Sequence, residues 1–211
     1  MLTAERITFG YRSDEPKLFD DFSHTFEPGL TVVGGPSGCG KSTMLYLLGL
    51  MLSPASGSIR FDDADVSSLT DHERSRCRAR HVGFVFQDAV LDPSRTALDN
   101  VVEAGLYAGM ERRESTRRAH ALLQKFGVDT RATHRPGEIS GGQAQRVALC
   151  RALLKQPRIL LADEPTGNLD ATTADVVWDA LSTAAGSGTV VVIASHDERR
   201  LREADIMVKL R

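Results

Sequence analysis

The chain has 211 residues, 41% of them hydrophobic, enough for one or two domains around a sizeable core, and its formal net charge of −2 comes with no acidic or basic tail. That balance gives no reason to expect a polyanionic partner, and the longest mainly apolar stretches, such as Thr189–Ala194, fall far short of the roughly 20 residues that span a bilayer. No basic-then-apolar leader opens the sequence, and Cys39, Cys77 and Cys150 are too widely spaced for a metal pattern or a disulfide framework, so the expected location is the cytoplasm.

In chain order, residues 1–34 hold short extended pieces at Arg6–Tyr11, His24–Phe26 and Leu30–Val33, separated by the polar stretch Ser13–Lys17 and by Pro28-Gly29. These predict an antiparallel layer with tight connections. Next, Gly35-Pro-Ser-Gly-Cys-Gly40-Lys41-Ser42 fits G-x-x-x-x-G-K-[ST], with the apolar stretch Leu30–Val33 before it and Met44–Leu48 after it. A phosphate-binding loop needs that strand-to-helix context: glycines let the backbone curl around phosphate oxygens, and the helix start supplies N–H donors and a positive dipole end. The residues expected to cradle a nucleoside triphosphate are Gly35, Pro36, Ser37, Gly38, Cys39, Gly40, Lys41, Ser42 and Thr43, with Lys41 on the β- and γ-phosphates and Ser42 on Mg²⁺. Beside Lys41 and a helix start the Cys39 thiol could ionise easily, although filling a variable loop position is its plainer role.

Pro54–Gly57 then breaks the chain and Ser58–Phe61 resumes as a strand, followed by a polar helix over 70–80 with the basic run Arg74–Arg80. Every second residue of that run is charged, the pattern of a solvated helix or edge. Val82–Phe86 reads as an apolar strand ending at Gln87. From about 94 to 155 the pattern is helical, including Ala97–Val102 and Ser115–Phe126, where Ala119, Leu122, Leu123 and Phe126 share a face. The last third returns to strand, helix and strand at Ile159–Ala162, Thr173–Ala185 and Thr189–Ala194. The expectation is one α/β unit over 1–211, a mainly parallel sheet with an N-terminal antiparallel layer and a helical subdomain inserted at about 88–155.

A phosphate loop alone leaves kinases, GTPases, helicases and transport ATPases open. Arg158–Glu164 is an apolar strand ending in two acids, an arrangement in which Asp163 can hold Mg²⁺ through water while Glu164 activates an attacking water. Neighbouring side chains at a strand end point in different directions, which permits two roles. About twenty residues earlier, Ile139-Ser140-Gly141-Gly142-Gln143 opens a helix and makes a second anion site from exposed N–H donors.

These residues resemble the signature motif of ATP-binding-cassette (ABC) ATPases, with Ile139 in place of the usual Leu, and the likeness covers essentially the whole chain. It implies a phosphate-loop NTPase fold and an ATP- and Mg²⁺-dependent ATPase that works as a head-to-tail dimer. In such a dimer Ser140, Gly141, Gly142 and Gln143 of one copy close over ATP held by the other. The same resemblance makes Gln87 the Q-loop residue, which also serves the metal together with Ser42 and Asp163. It assigns Asn168-Leu169-Asp170 to the D-loop, with Asp170 near nucleotide, His196 to the γ-phosphate switch, and Tyr11 to stacking on adenine. Lys41, Gln87, Glu164 and His196 are the expected catalytic residues.

Ala162–Asp170, with Gly167-Asn168 before Leu169-Asp170, and Val82–Gln87 most resemble the branch serving lipoprotein release, macrolide export and cell division. That likeness implies a separate transmembrane subunit beneath which the chain sits, energising transport or transmitting mechanical work, peripheral on the cytoplasmic face of the membrane, without direct nucleic-acid binding. Asp88–Pro93 departs from the branch in carrying fewer apolar residues, and the end at Lys209–Arg211 suggests a minimal motor. The alternative is a soluble ABC ATPase acting on nucleic acid or ribosomes, against which stands the lack of a coiled-coil or zinc insertion or a second cassette.

Overall fold

The computed structural model describes residues 1–12 and 16–210, without the side chains of Glu198 and Arg199; part of the Ser13–Lys17 connection, and Arg211, lie outside the described residues. The chain runs through β1 (Leu2–Phe9), β2 (Phe19–Phe26), β3 (Gly29–Gly34), α1 (Lys41–Leu48), β4 (Ser56–Phe61) and β5 (Ala64–Asp65). It continues through α2 (Asp71–His81), β6 (Val82–Val85), α3 (Ala97–Tyr107), α4 (Arg112–Lys125), α5 (Gly141–Leu153) and β7 (Ile159–Asp163). The last elements are α6 (Ala171–Gly186), β8 (Val190–Ala194), α7 (Glu198–Arg202) and β9 (Ile206–Lys209).

Two sheets form. An antiparallel one has the order β2-β1-β4-β5, and a parallel one the order β6-β7-β8-β3-β9. The N-terminal layer is therefore antiparallel as expected, but Leu30–Val33 does not belong to it: β3 lies inside the parallel sheet between β8 and β9. Its run of buried residues on both faces is the mark of a central parallel strand, which a one-faced antiparallel layer would not need. Strand β1 also starts earlier than its sequence pattern suggests. Leu2 and Ala4 are buried at period two, but Arg6 at φ 48 forms a bulge that shifts the alternation, so that Ile7 and Phe9 carry it onward.

The parallel strands share their side chains between two cores. Leu160, Ala162, Val191 and Ile193 face a core built with α3 to α6, while Ile159, Leu161, Val190 and Val192 face a core built with α1 and the antiparallel sheet. Complete burial of one such Leu, Ile or Val contributes about 1.5–3 kcal/mol, so the sheet is held from both sides.

Helix starts are set locally. Thr70, Ser140 and Asp170 each accept a hydrogen bond from the third helical N–H of the helix they open, and the first two make complete capping boxes with Glu73 and Gln143. One consequence matters most for function. Strands β3, β6, β7 and β8 are parallel neighbours, so Gly35, Gln87, Glu164 and His196 all leave the sheet at its carboxyl edge, where parallel α/β sheets hold their ligands.

Candidate active site

The loop from Gly35 to Gly40 turns sharply between β3 and α1. Gly38 and Gly40 take φ of 83° and 97°, and a Cβ on Gly40 would stand 2.9 Å from Leu18 and Phe19 side-chain atoms, so conformation and space both require glycine there. Lys41 Nζ donates to the carbonyl oxygens of Gly35 at 2.9 Å and Pro36 at 3.1 Å, which keeps its charge folded over the loop. Cys39 is half-buried, its sulfur lying where a Gly35 side chain would go.

A cavity of about 470 Å³ opens over this loop, lined by Tyr11, Ser37, Lys41, Ser42, Asp163 and Glu164 among others. Ser42 Oγ donates to Asp163 Oδ1 at 3.0 Å, and Tyr46 O–H reaches Asp163 Oδ2 at 3.4 Å. Burial raises the Asp163 pKa above the ordinary carboxylate value and the Glu164 charge adds to this, while the Ser42 bond opposes it. A hydroxyl and a largely buried carboxylate converging on one point, with too few protein donors for the carboxylate charge, form a donor set that fits Mg²⁺.

Glu164 occupies a left-handed backbone conformation, φ 42°, and its amide donates to Ala194 O at 2.9 Å. A non-glycine residue held there costs about 1–2 kcal/mol, and the turn carries its side chain toward β8. His196 Nδ1 lies 2.7 Å from Glu164 Oε1, with the histidine 71% and the glutamate 15% exposed. Carboxylate and imidazole thus meet beside the cavity, which Glu164 lines and His196 does not, in reach of the solvent from which an attacking water would come.

Tyr11 is 63% exposed and stands at the cavity wall, its ring edge-on to Phe9 at 5.2 Å and its hydroxyl 2.9 Å from Thr43 Oγ1. Gln87 is exposed and does not line the cavity, nor do Asp170 or the run Ser140–Gln143. Asp170 spends both carboxylate oxygens on Thr173, whose backbone and hydroxyl bonds hold its pKa down, and Ser140 caps α5.

One residue of this neighbourhood escaped the motif reading. Gln145, 2% exposed, donates from Nε2 to Phe86 O at 2.9 Å and to Pro165 O at 3.2 Å, tying the approach to Gln87 to the exit from the acid pair. A polar side chain at an otherwise core-facing position of α5 is the signal that could have found it.

Comparison with known proteins bears on the family and the fold. The family model described as "ABC transporter" matches residues 19–167. An uncharacterized ABC transporter ATP-binding protein of Mycobacterium tuberculosis is 46% identical over 181 residues, which cover 86% of this chain and 55% of that protein. The lipoprotein-releasing system ATP-binding protein LolD 1 of Rhodospirillum rubrum is 44% identical over 178 residues, 84% of this chain and 79% of its own. Among solved structures, the dimeric post-hydrolysis state of the ATP-binding cassette MJ0796 bound to ADP and Pi superposes with a TM-score of 0.91 at 32% identity, covering 100% of this chain and 94% of that one. The chain spans about half the length of the mycobacterial relative but most of LolD 1. With its family model, its relatives and its fold in agreement, the chain belongs to the ABC transporter family, as an ATP-binding cassette.

Proposed function

We propose that residues 1–211 form one ABC cassette, with its helical part at about 88–155, that hydrolyses ATP as the energising subunit of a membrane complex. The observation that carries the reading is the convergence of Ser42, Asp163 and Glu164 on the cavity above the phosphate loop, with His196 held against Glu164. Lys41 would leave its two loop carbonyls for the β- and γ-phosphates, and the backbone N–H groups from Ser37 to Thr43 would hold the remaining phosphate oxygens. Ser42 and Asp163, joined by Gln87, would hold Mg²⁺, which neutralises phosphate charge when bound. Glu164 takes the proton of the attacking water, and His196 orients that carboxylate and meets the γ-phosphate. Tyr11 offers its exposed ring to the adenine.

Ser140–Gln143 and Asp170 lie away from the cavity of their own chain, which supports a second copy supplying them to complete each ATP site. The cassette MJ0796 is itself dimeric, which supports an association of two copies. A membrane subunit has a surface to meet. A groove of about 620 Å³ between α2, β6, α3 and α5 has Phe84 and Phe86 among its lining residues, and Met51, Val90 and Tyr107 line it while 40, 57 and 70% exposed. Large apolar side chains gathered around one groove mark an interaction site. No helix among the described residues is long and apolar enough to cross a membrane, so the cassette would sit peripherally on the cytoplasmic face through that partner, of the kind served by lipoprotein-releasing relatives. The soluble nucleic-acid reading has less support: on α2, Arg74 pairs with Asp71 and Arg78 with the Leu50 carbonyl and Ser75.

Light scattering of Glu164→Gln with and without ATP and Mg²⁺ tests the reading. ATP should convert monomer to dimer, while hydrolysis falls roughly 10²–10⁴-fold. A monomer that binds no ATP would overturn it.

A further inference from the structure

Arg200 belongs to the five-residue helix α7, four positions after His196, and is only 5% exposed. Buried guanidinium groups persist where partners compensate for lost water, and this one has three. Nη2 donates to Asp175 Oδ1 at 2.6 Å, Nη1 donates to Glu203 Oε2 at 3.0 Å, and the guanidinium carbon lies 4.9 Å from the centre of the Trp178 ring. Burial opposes its charge, but the bonds to Asp175 and Glu203 outweigh burial and raise its pKa above the arginine value.

Asp175 and Trp178 are on α6, the helix capped by Asp170. A five-residue helix has too few internal bonds to hold itself, so its tertiary attachments decide where it sits. Two of those attachments are adjacent: Arg200 to α6, and Leu201, whose Cδ2 lies 3.1 Å from where a Gly34 side chain would begin. On the other side of His196, the Ser195 amide donates to Val33 O at 3.2 Å and the Asp197 amide to Ser195 Oγ at 3.1 Å. The imidazole itself is exposed, with its bond to Glu164. Its place over the carboxylate is therefore set by the backbone on both sides, and Arg200 is a polar anchor downstream, followed by Asp205, which accepts from the Leu30 amide at 2.8 Å.

We propose that Arg200 is a positioning residue for hydrolysis, clamping α7 onto α6 so that His196 stays over Glu164 and the His196 and Asp170 segments move together. The proposal rests on the assignment of Glu164 and His196 to ATP hydrolysis. It predicts a defect in the chemical step with ATP binding retained, because Arg200 does not line the nucleotide cavity.

Trp178 is the single tryptophan of the chain, so its emission reports the clamp directly. Steady-state ATPase should be measured for Arg200→Met, Arg200→Lys, His196→Ala and the Arg200→Met/His196→Ala double variant, with Trp178 emission recorded for each. Arg200→Met should lose roughly 10- to 100-fold in kcat with KM within about threefold, and should change Trp178 emission. Arg200→Lys should recover only part of the rate, since an ammonium cannot serve two carboxylates and a ring face in the same geometry. The double variant should be no slower than His196→Ala alone. A normal kcat in Arg200→Met, or additive losses in the double variant, would overturn the clamp. If His196→Ala is slow while Arg200→Met is normal, the clamp alone fails; if His196→Ala is as fast as the parent, the site assignment fails and takes the clamp with it. Should Arg200→Met not fold, Asp175→Asn at the half-exposed end of the clamp gives a smaller loss of kcat in the same direction, and an unchanged kcat there refutes the proposal.

Discussion

Arg151→Met tests how the groove presents its apolar residues. Ala89 and Val90 both adopt left-handed backbone, φ 60° and 48°, a conformation costing about 1–2 kcal/mol for each L-residue, or about 2–4 kcal/mol for the pair. Against this stands Arg151, whose Nη2 donates to Ala89 O at 2.8 Å and whose Nη1 donates to Val90 O at 2.6 Å. A hydrogen bond from a charged donor contributes about 1.5–3 kcal/mol when partly buried, and the exposed one to Val90 about 0.5–1, so the arginine offsets the strain with almost nothing to spare. Methionine keeps the apolar stem and removes both donors. The segment Asp88–Asp92 should then relax, with a local loss of about 2–4 kcal/mol and amide exchange over these residues faster by roughly 30- to 900-fold. Hydrogen exchange read by mass spectrometry on peptides spanning residues 86–93 measures this. Arg151→Lys should fail similarly, since one ammonium does not reproduce the two-pronged contact. Unchanged exchange over residues 88–92, alongside a lower global stability, would refute the argument and leave Arg151 a packing residue only.

Gly141 has open space around it, nothing meeting a Cβ within 4 Å, so Gly141→Ala should alter folding stability by less than about 1 kcal/mol yet impair ATP-driven dimerisation of the Glu164→Gln protein; intact dimerisation would remove this glycine from the proposed interface. Burial pushes the Lys155 ammonium down to about 8 from 10.5. Between those values the unfolded chain holds the extra proton, so the wild type should gain stability as pH rises from 8 toward 10.5, by at most ~1.4 kcal/mol per pH unit relative to Lys155→Met. Parallel urea curves for the two proteins at pH 8 and pH 10 would contradict this. Tyr11→Phe removes the bond to Thr43 and keeps the ring, so ATP affinity should hold within about threefold, whereas Tyr11→Ala should weaken it roughly 10-fold. Equal affinities in titrations with a fluorescent ATP analogue would place the adenine elsewhere.

The nucleotide motifs were legible because each is local: a glycine turn, an apolar strand ending in acids, and a serine cap fix their own backbone within a few residues. What escaped depends on partners distant in sequence. The bulge at Arg6 broke the period-two signal of β1, and β9, with Ile206 and Met207 partly exposed at a sheet edge, lacks the continuous apolar run that announces a central strand. Leu30–Val33 looks the same in either sheet until the neighbouring strands are known, and only its pairing with β8 and β9 decides. Gln145 and Arg200 read as ordinary polar positions on helices, yet one bridges carbonyls 79 residues apart, at Phe86 and Pro165, and the other reaches 25 residues back to Asp175.

These long-range contacts bear on how such a cassette would be coupled. In the proposed pairing, the ATP site of one copy is finished by Ser140 and Asp170 of the other, while the groove faces a different subunit, so signals must cross the molecule. Two connections in this chain span that distance, and a third joins the two halves of the proposed ATP machinery. Tyr46 touches Asp163 with its hydroxyl and Phe84 with its ring, at 5.8 Å between centroids, and Phe84 stacks on Phe86 at 4.2 Å; both phenylalanines line the groove. Gln145 then ties the Phe86 carbonyl to Pro165, immediately after Glu164. On the opposite side Arg200 ties the His196 segment to the helix that Asp170 caps. Coupling requires an element with two arrangements that both sites bias, and the chain offers its candidates where backbone strain is already stored, at Ala89-Val90 beside the groove and at Glu164 beside the nucleotide cavity. Because the aromatic stack and the Gln145 bridge join those two strained points, filling the groove and closing the ATP site would draw on the same few residues.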